Sequence, residues 1–118
     1  DLFILIYPIP EHGWNARDLI INKRIDRVDS KENLSYERKY WDLYSSSATE
    51  ILNSLDSDKI KRIYSSEIFC NQFVTNECVA EFNNDYFYLD GFHLSSTGAK
   101  IIVKEIEKLL LIEEKNSS

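Results

Sequence analysis

An α/β fold with a parallel sheet is the class this sequence predicts, and three observations predict it. Strand-like and helix-like segments alternate along the chain. The first strand-like run, Leu2-Phe3-Ile4-Leu5-Ile6, is apolar without a break, the pattern of a strand covered on both faces. The last long segment repeats apolar residues at helical spacing with charges between them.

The elements follow in order. Pro8 and Pro10 stop the first strand. Tyr7 to Lys31 reads as a long irregular stretch, in which Ile20, Ile21, Ile25 and Val28 suggest short structured pieces. Leu34, Trp41, Tyr44, Ala48, Ile51, Leu52 and Leu55 recur at spacings of three, four and seven, which predicts one amphipathic helix from Leu34 to Leu55. Ser45-Ser46-Ser47 marks a candidate break in it, and Asp56-Ser57-Asp58 ends it. Ile60 to Tyr64 reads as a second strand, placed near an edge by Lys61 and Arg62. Ser65 to Asp85 reads as irregular and holds both cysteines, and Tyr86-Phe87-Tyr88-Leu89 as a short extended run. In the final helix, Ala99, Ile102, Val103, Ile106, Leu109 and Leu110 form the predicted buried face. Ser95 is its candidate N-cap, Leu94 a staple onto Ala99, and Asn116-Ser117-Ser118 a frayed tail.

Composition bounds the function. A chain of 118 residues fits one domain, and 14 Lys+Arg against 20 Asp+Glu leave a net charge of −6. That balance carries no cationic footprint for nucleic acid and no polybasic grip on anionic lipid. A hydrophobic content of 43% argues against a disordered chain. The apolar runs fall short of the roughly 18–20 residues that cross a bilayer, and no stretch reads as a signal peptide. The chain starts at Asp1 and contains no Met, so it reads as the C-terminal piece of something larger.

The candidate chemistry lies in Asp90-Gly91-Phe92-His93-Leu94-Ser95, between the extended run and the final helix. In open α/β sheets, ligands bind at such junctions. His93 has the chemistry of a general base near neutral pH, and Asp90 can accept its Nδ1 proton and fix the tautomer. Gly91 suits the tight turn between them. The alternative is a surface Asp–His pair in which Asp90 only closes a turn. Pro8-Ile9-Pro10-Glu11 stiffens the exit from the first strand and, with Trp14, could shape a cleft; the other role for Trp14, and the one its residue type favours, is as a core plug. Tyr36, Tyr40, Trp41 and Tyr44 lie on or near the helical stripe, where packing is the expected role. Cys70 and Cys78 are either a disulfide or two thiols, and Asn33-Leu34-Ser35 matches a glycosylation sequon by pattern alone. There is no Cys-x-x-Cys, and His12, His93 and the scattered carboxylates show no metal-ligand spacing.

The run from Asp90 to Ala99 resembles the last block of SGNH (GDSL-type) hydrolases. More narrowly, it is similar to the SGNH domain fused to membrane acyltransferases that O-acetylate bacterial surface glycans. That block has the form D-x-x-H-L-S, two residues, then Gly-Ala, and every fixed position is filled here. Leu5-Ile6-Tyr7-Pro8-Ile9-Pro10-Glu11, followed by Trp14, resembles the same family's strand and P-x-P-E segment. The placement of Cys70 and Cys78 is similar too. The resemblance implies that residues 1–118 are the C-terminal part of a three-layer α/β/α, flavodoxin-like SGNH domain. It implies catalytic roles for Asp90 and His93, no cofactor, and a disulfide between Cys70 and Cys78 in an oxidising compartment. The implied partners are an upstream membrane acyltransferase domain of the same polypeptide and a glycan acceptor. The implied location is the periplasmic or other extracytoplasmic face, tethered to the inner membrane.

One departure matters. The family's nucleophilic Ser stands in a Gly-Asp-Ser block, and its oxyanion donors include a Gly and an Asn from two other blocks. No Gly-Asp-Ser occurs in these 118 residues. The chain therefore carries only the acid–base half of the triad. Three readings remain open: an O-acyltransferase, an esterase that removes acyl groups, or a non-catalytic glycan-binding domain.

Overall fold

The computed structural model describes residues 1–26 and 34–117. β1 (Phe3–Ile6) pairs in parallel with β3 (Ile60–Ile63), with Phe3 opposite Ile60 and Ile6 opposite Ile63. This is the parallel pair that the apolar run and the Ile60 segment predict. Ser65, fully buried, donates its hydroxyl to the Tyr7 carbonyl at 2.7 Å and ties the carboxyl ends of the two strands together. The charge on Arg62 is spent locally: its guanidinium donates to the Leu52 and Leu55 carbonyls, where the preceding helix ends.

Between these strands the chain differs from its predicted pattern in two places. Residues 16–26 form a helix, α1 (Ala16–Asp26), which buries Ala16 and Ile20, where the sequence reads as mostly irregular. Val28, Lys31, Asn33 of the sequon and Ser118 of the tail lie outside the described residues. The single helix predicted from Leu34 to Leu55 is three elements: β2 (Ser35–Glu37), α2 (Arg38–Tyr44) and α3 (Ser46–Asn53). The break falls at Ser45, inside the serine run that predicted one. Its amide and its hydroxyl both donate to the Trp41 carbonyl, at 2.8 Å each. Because the two helices no longer share one face, the predicted stripe does not bury as a unit. Trp41 is buried, while Tyr44, Ile51 and Leu55 are exposed.

After β3, α4 (Ser65–Glu67) runs into a π-helical turn (Ile68–Gln72) carrying Cys70. β4 (Glu77–Val79) carries Cys78 and pairs antiparallel with β2, Tyr36 opposite Cys78. β5 (Glu81–Phe82) and β6 (Asp85–Tyr86) form a hairpin whose two central residues, Asn83 and Asn84, both have positive φ. The predicted run from Tyr86 to Leu89 thus enters no parallel sheet. It supplies the end of this hairpin and an isolated bridge from Tyr88 to Leu94. α5 (Ser96–Ser117) is the predicted last helix, and it includes Asn116 and Ser117 of the tail expected to fray. Its buried side carries Gly98 and Ile102, with Ile106 and Leu109 partly covered, whereas Ala99, Val103 and Leu110 of the predicted face are exposed.

The main core joins these pieces: Ile20, Ile63, Phe69, Phe87, Tyr88 and Ile102 pack together. A smaller cluster of Trp41, Cys70 and Cys78 lies under Tyr36. Among the described residues β1 has a strand on one side only, and Phe3 and Ile6 are exposed, so the two-face coverage expected for it is not found there. No helix of the described residues is long and apolar enough to cross a membrane.

Candidate active site

The candidate site is a loop stitched to itself. Asp90 Oδ1 accepts the backbone amides of Phe92 and His93, both at 2.7 Å, which closes an Asx-type turn. Its Oδ2 lies 2.9 Å from His93 Nδ1. An ionised carboxylate only accepts, so Nδ1 carries the proton and the Nε2 lone pair faces outward. The amide of Phe92 first, then the imidazole of His93, hold the Asp90 carboxyl below its ordinary range. Asp90 therefore stays ionised through mild acid. The His93 side chain is 75% exposed and open to a reactant.

The helix behind the loop is capped by the same segment. Ser95 Oγ accepts the Gly98 amide at 3.1 Å and donates to the Tyr86 carbonyl at 2.6 Å. This Ser is a cap, and its hydroxyl is committed. A Cβ on Gly98 would stand 2.1 Å from the Phe87 carbonyl oxygen, so only glycine lets α5 start this close to that backbone.

The proline segment forms a strap beneath the loop. The His12 amide donates to the Gly91 carbonyl at 2.7 Å. A Cβ on Gly91 would meet the Gly13 carbonyl oxygen at 1.8 Å. Gly91 is thus required by the contact of two backbones, and its φ is not positive, which corrects the tight-turn reason given by sequence. Pro10 is buried, and its carbonyl accepts the Tyr88 hydroxyl at 2.6 Å. The Glu11 carbonyl accepts the Tyr36 hydroxyl, also at 2.6 Å. Burial, chiefly, pushes both phenols far above their ordinary pKa and keeps them neutral donors. Between the two phenol rings sits the His12 imidazole, with ring centres 5.2 Å from Tyr36 and 4.6 Å from Tyr88. Its Nε2 is buried without a hydrogen-bond partner among the described residues, and burial lowers its pKa to about 4.

Trp14 is 87% exposed and does not plug the core, contrary to the packing role that its residue type favours. Its ring stands edge-on to Phe92, centroids 4.7 Å apart, so an aromatic pair borders His93 in sequence. Tyr40 and Tyr44 are exposed as well, and Tyr36 uses its hydroxyl. The structure thus gathers Asp90 and His93 with the carbonyls of Pro10 and Glu11 and the ring of Trp14 around one loop and its strap. Cys70 and Cys78 are joined as a disulfide away from the loop, in the cluster under Tyr36. A separate cavity of about 320 Å³ opens at the carboxyl ends of β1 and β3, lined among others by Tyr7, Pro8, Arg38, Trp41 and Tyr64. Among the described residues no group of three or more His, Cys, Asp or Glu side chains is placed to hold a metal ion.

Sequence reasoning passed over His12, Tyr36 and Tyr88 as parts of this site. One signal for it was present: two of the chain's three glycines, Gly13 and Gly91, lie one in each candidate segment. The contact itself requires glycine at 91, while Gly13 has a φ of +81° and open space where its Cβ would stand.

Residues 2–108 match the family model described as SGNH domain (fused to AT3 domains). The chain belongs to this family. No curated protein and no solved structure matches it. The SGNH assignment agrees with the mixed helix and strand content and with the parallel β1–β3 pair. Fusion to AT3, an acyltransferase domain, supports an acyltransferase-related function and an acyltransferase domain in the same polypeptide.

Proposed function

We propose that this SGNH domain takes part in O-acyl transfer to hydroxyls of a cell-surface polysaccharide, with Asp90 and His93 as the acid–base half of a Ser-His-Asp triad. The observation that carries the reading is the 2.9 Å contact of Asp90 Oδ2 with His93 Nδ1, on a loop that leaves Nε2 exposed. The nucleophilic Ser comes from outside these 118 residues, which contain no Gly-Asp-Ser. His93 Nε2 takes the Ser hydroxyl proton as its oxygen attacks the donor's acyl carbon. The leaving group departs with that proton, and an ester remains on Ser. A sugar hydroxyl then attacks the ester carbonyl, giving its own proton to Nε2. The proton returns to the Ser oxygen as the carbon–oxygen bond breaks. Asp90 stays ionised and stabilises the imidazolium each time.

The exposed Trp14 ring beside the half-buried Phe92 supports a saccharide acceptor, since aromatic faces cover sugar CH groups. The disulfide supports an extracytoplasmic, oxidising setting, where a membrane acyltransferase domain of the same polypeptide would deliver the acyl group. The openness of His93 favours a second outcome at the same site: water in place of the sugar, which makes the domain a carbohydrate esterase.

The test is mass mapping of the complete polypeptide after exposure to an acyl donor. The expected ester sits on a Ser of a Gly-Asp-Ser block. An ester on Ser65, Ser66 or Ser95 contradicts the reading.

A further inference from the structure

We propose that Tyr36 is a positioning residue for His93, and that the Cys70–Cys78 disulfide fixes the strand that presents Tyr36; the proposal rests on the acyl-transfer reading only for its kinetic readout. The argument follows hydrogen bonds from the loop outward. His93 is set by Asp90, and the neighbouring Gly91 carbonyl is held by the His12 amide at 2.7 Å. Gly91 and Gly13 touch backbone to backbone, so the loop cannot move against the strap independently. The strap in turn is clamped at consecutive carbonyls. Tyr88 holds Pro10 and Tyr36 holds Glu11, each at 2.6 Å, and His12 follows directly.

The two clamps differ in support. Tyr88 is fully buried in the main core. Tyr36 sits on β2, a strand of three residues whose one ladder among the described residues is with β4, itself three residues long. A ladder so short does not hold its own place. The residue opposite Tyr36 is Cys78, and its disulfide partner Cys70 lies in the helical turn that follows β3. Both cysteines are fully buried against Trp41. The disulfide therefore anchors the β2–β4 pair to the segment that leaves the parallel sheet. Cleaving it removes the covalent tie and leaves the Arg38–Glu67 ion pair, 2.7 Å and at the surface, to hold β2 to that segment, so the Tyr36 hydroxyl can shift relative to the strap.

The experiment compares Tyr36→Phe, Cys70→Ser/Cys78→Ser and their combination in the complete polypeptide. Losing one neutral hydrogen bond predicts kcat lower by about 3-fold to 10-fold in Tyr36→Phe, with KM within about 2-fold. The cysteine variant lowers kcat similarly, and adding Tyr36→Phe to it lowers kcat little further, because both act through one contact. A second readout needs no turnover: the His93 ring-nitrogen resonances shift in Tyr36→Phe and in reduced wild type, in the same direction. Wild-type kcat together with unmoved His93 resonances in Tyr36→Phe overturns the proposal, and so do fully additive losses. Shifted resonances in a protein whose acyl transfer ignores His93→Ala leave the positioning intact and sink the acyl-transfer reading instead.

Discussion

The Asp90–His93 loop and the α2–α3 segment are built on opposite terms. Each backbone segment of the loop is fixed by a particular partner: Asp90 by its own turn, Gly91 by the strap, and Ser95 by the hairpin end and the helix it caps. In α2 and α3 the side chains Leu43, Tyr44 and Ile51 are exposed, and Trp41 alone is deeply buried. Directional contacts between named backbone atoms define the first region. The second is defined by apolar surface, which specifies nothing until something covers it. A short motif can therefore encode much of its geometry, while an amphipathic stripe encodes only a wish for cover.

The same contrast governs what was legible. The turn was readable because Asp90 bonds the Phe92 and His93 amides and the His93 ring, and Ser95 caps Gly98, all within a few residues; Gly91 instead answers to Gly13 on the strap. β1 was readable from its unbroken apolar run and the prolines after it, β3 from its short apolar-flanked segment, and α5 from helical periodicity. The 34–55 helix was misread because its spacing was right and its continuity was not: Ser45 turns the chain between α2 and α3, and Tyr36 is drawn into a ladder with Cys78. That ladder depends on a contact 42 positions away, which no local pattern carries. His12 and Tyr88 were missed for the same reason, their role being created by the strap's approach to the loop.

The contrast can be broken in order of expected effect. His93→Ala removes the base, and glycan acylation by the complete polypeptide is expected to fall by about 10³-fold or more. Asp90→Asn keeps the shape but can present an N–H to Nδ1. A loss of about 10²-fold to 10⁴-fold in the same assay is expected, with the protein still folded by circular dichroism. Gly91→Ala forces the loop off the strap, since its Cβ would stand 1.8 Å from the Gly13 carbonyl oxygen. Denaturant unfolding should show a cost of about 1–3 kcal/mol.

Acid probes the buried imidazole. His12 titrates at about 4 in the folded state, below the ordinary 6.5, so between those values the unfolded chain binds a proton that the folded chain refuses. Stability contributed by neutral His12 is complete above 6.5 and falls as pH drops towards 4, by at most about 3 kcal/mol. Denaturant melts from pH 8 to pH 4 should show this slope in wild type and a flatter one in His12→Phe. The smallest effect is reserved for the other region. Leu43→Ser should change stability by no more than about 0.5 kcal/mol. A cost several times larger would show that another segment packs on α2 in the complete polypeptide, and would move the boundary between the two regions.

The account turns on which nitrogen of His93 holds the proton. Nitrogen-15 spectra of the complete polypeptide, labelled at histidine and recorded where the ring is neutral, read this directly. The geometry predicts Nδ1–H facing the Asp90 carboxylate, with Nε2 unprotonated. A ring protonated on Nε2, with Nδ1 bare beside Asp90, contradicts it.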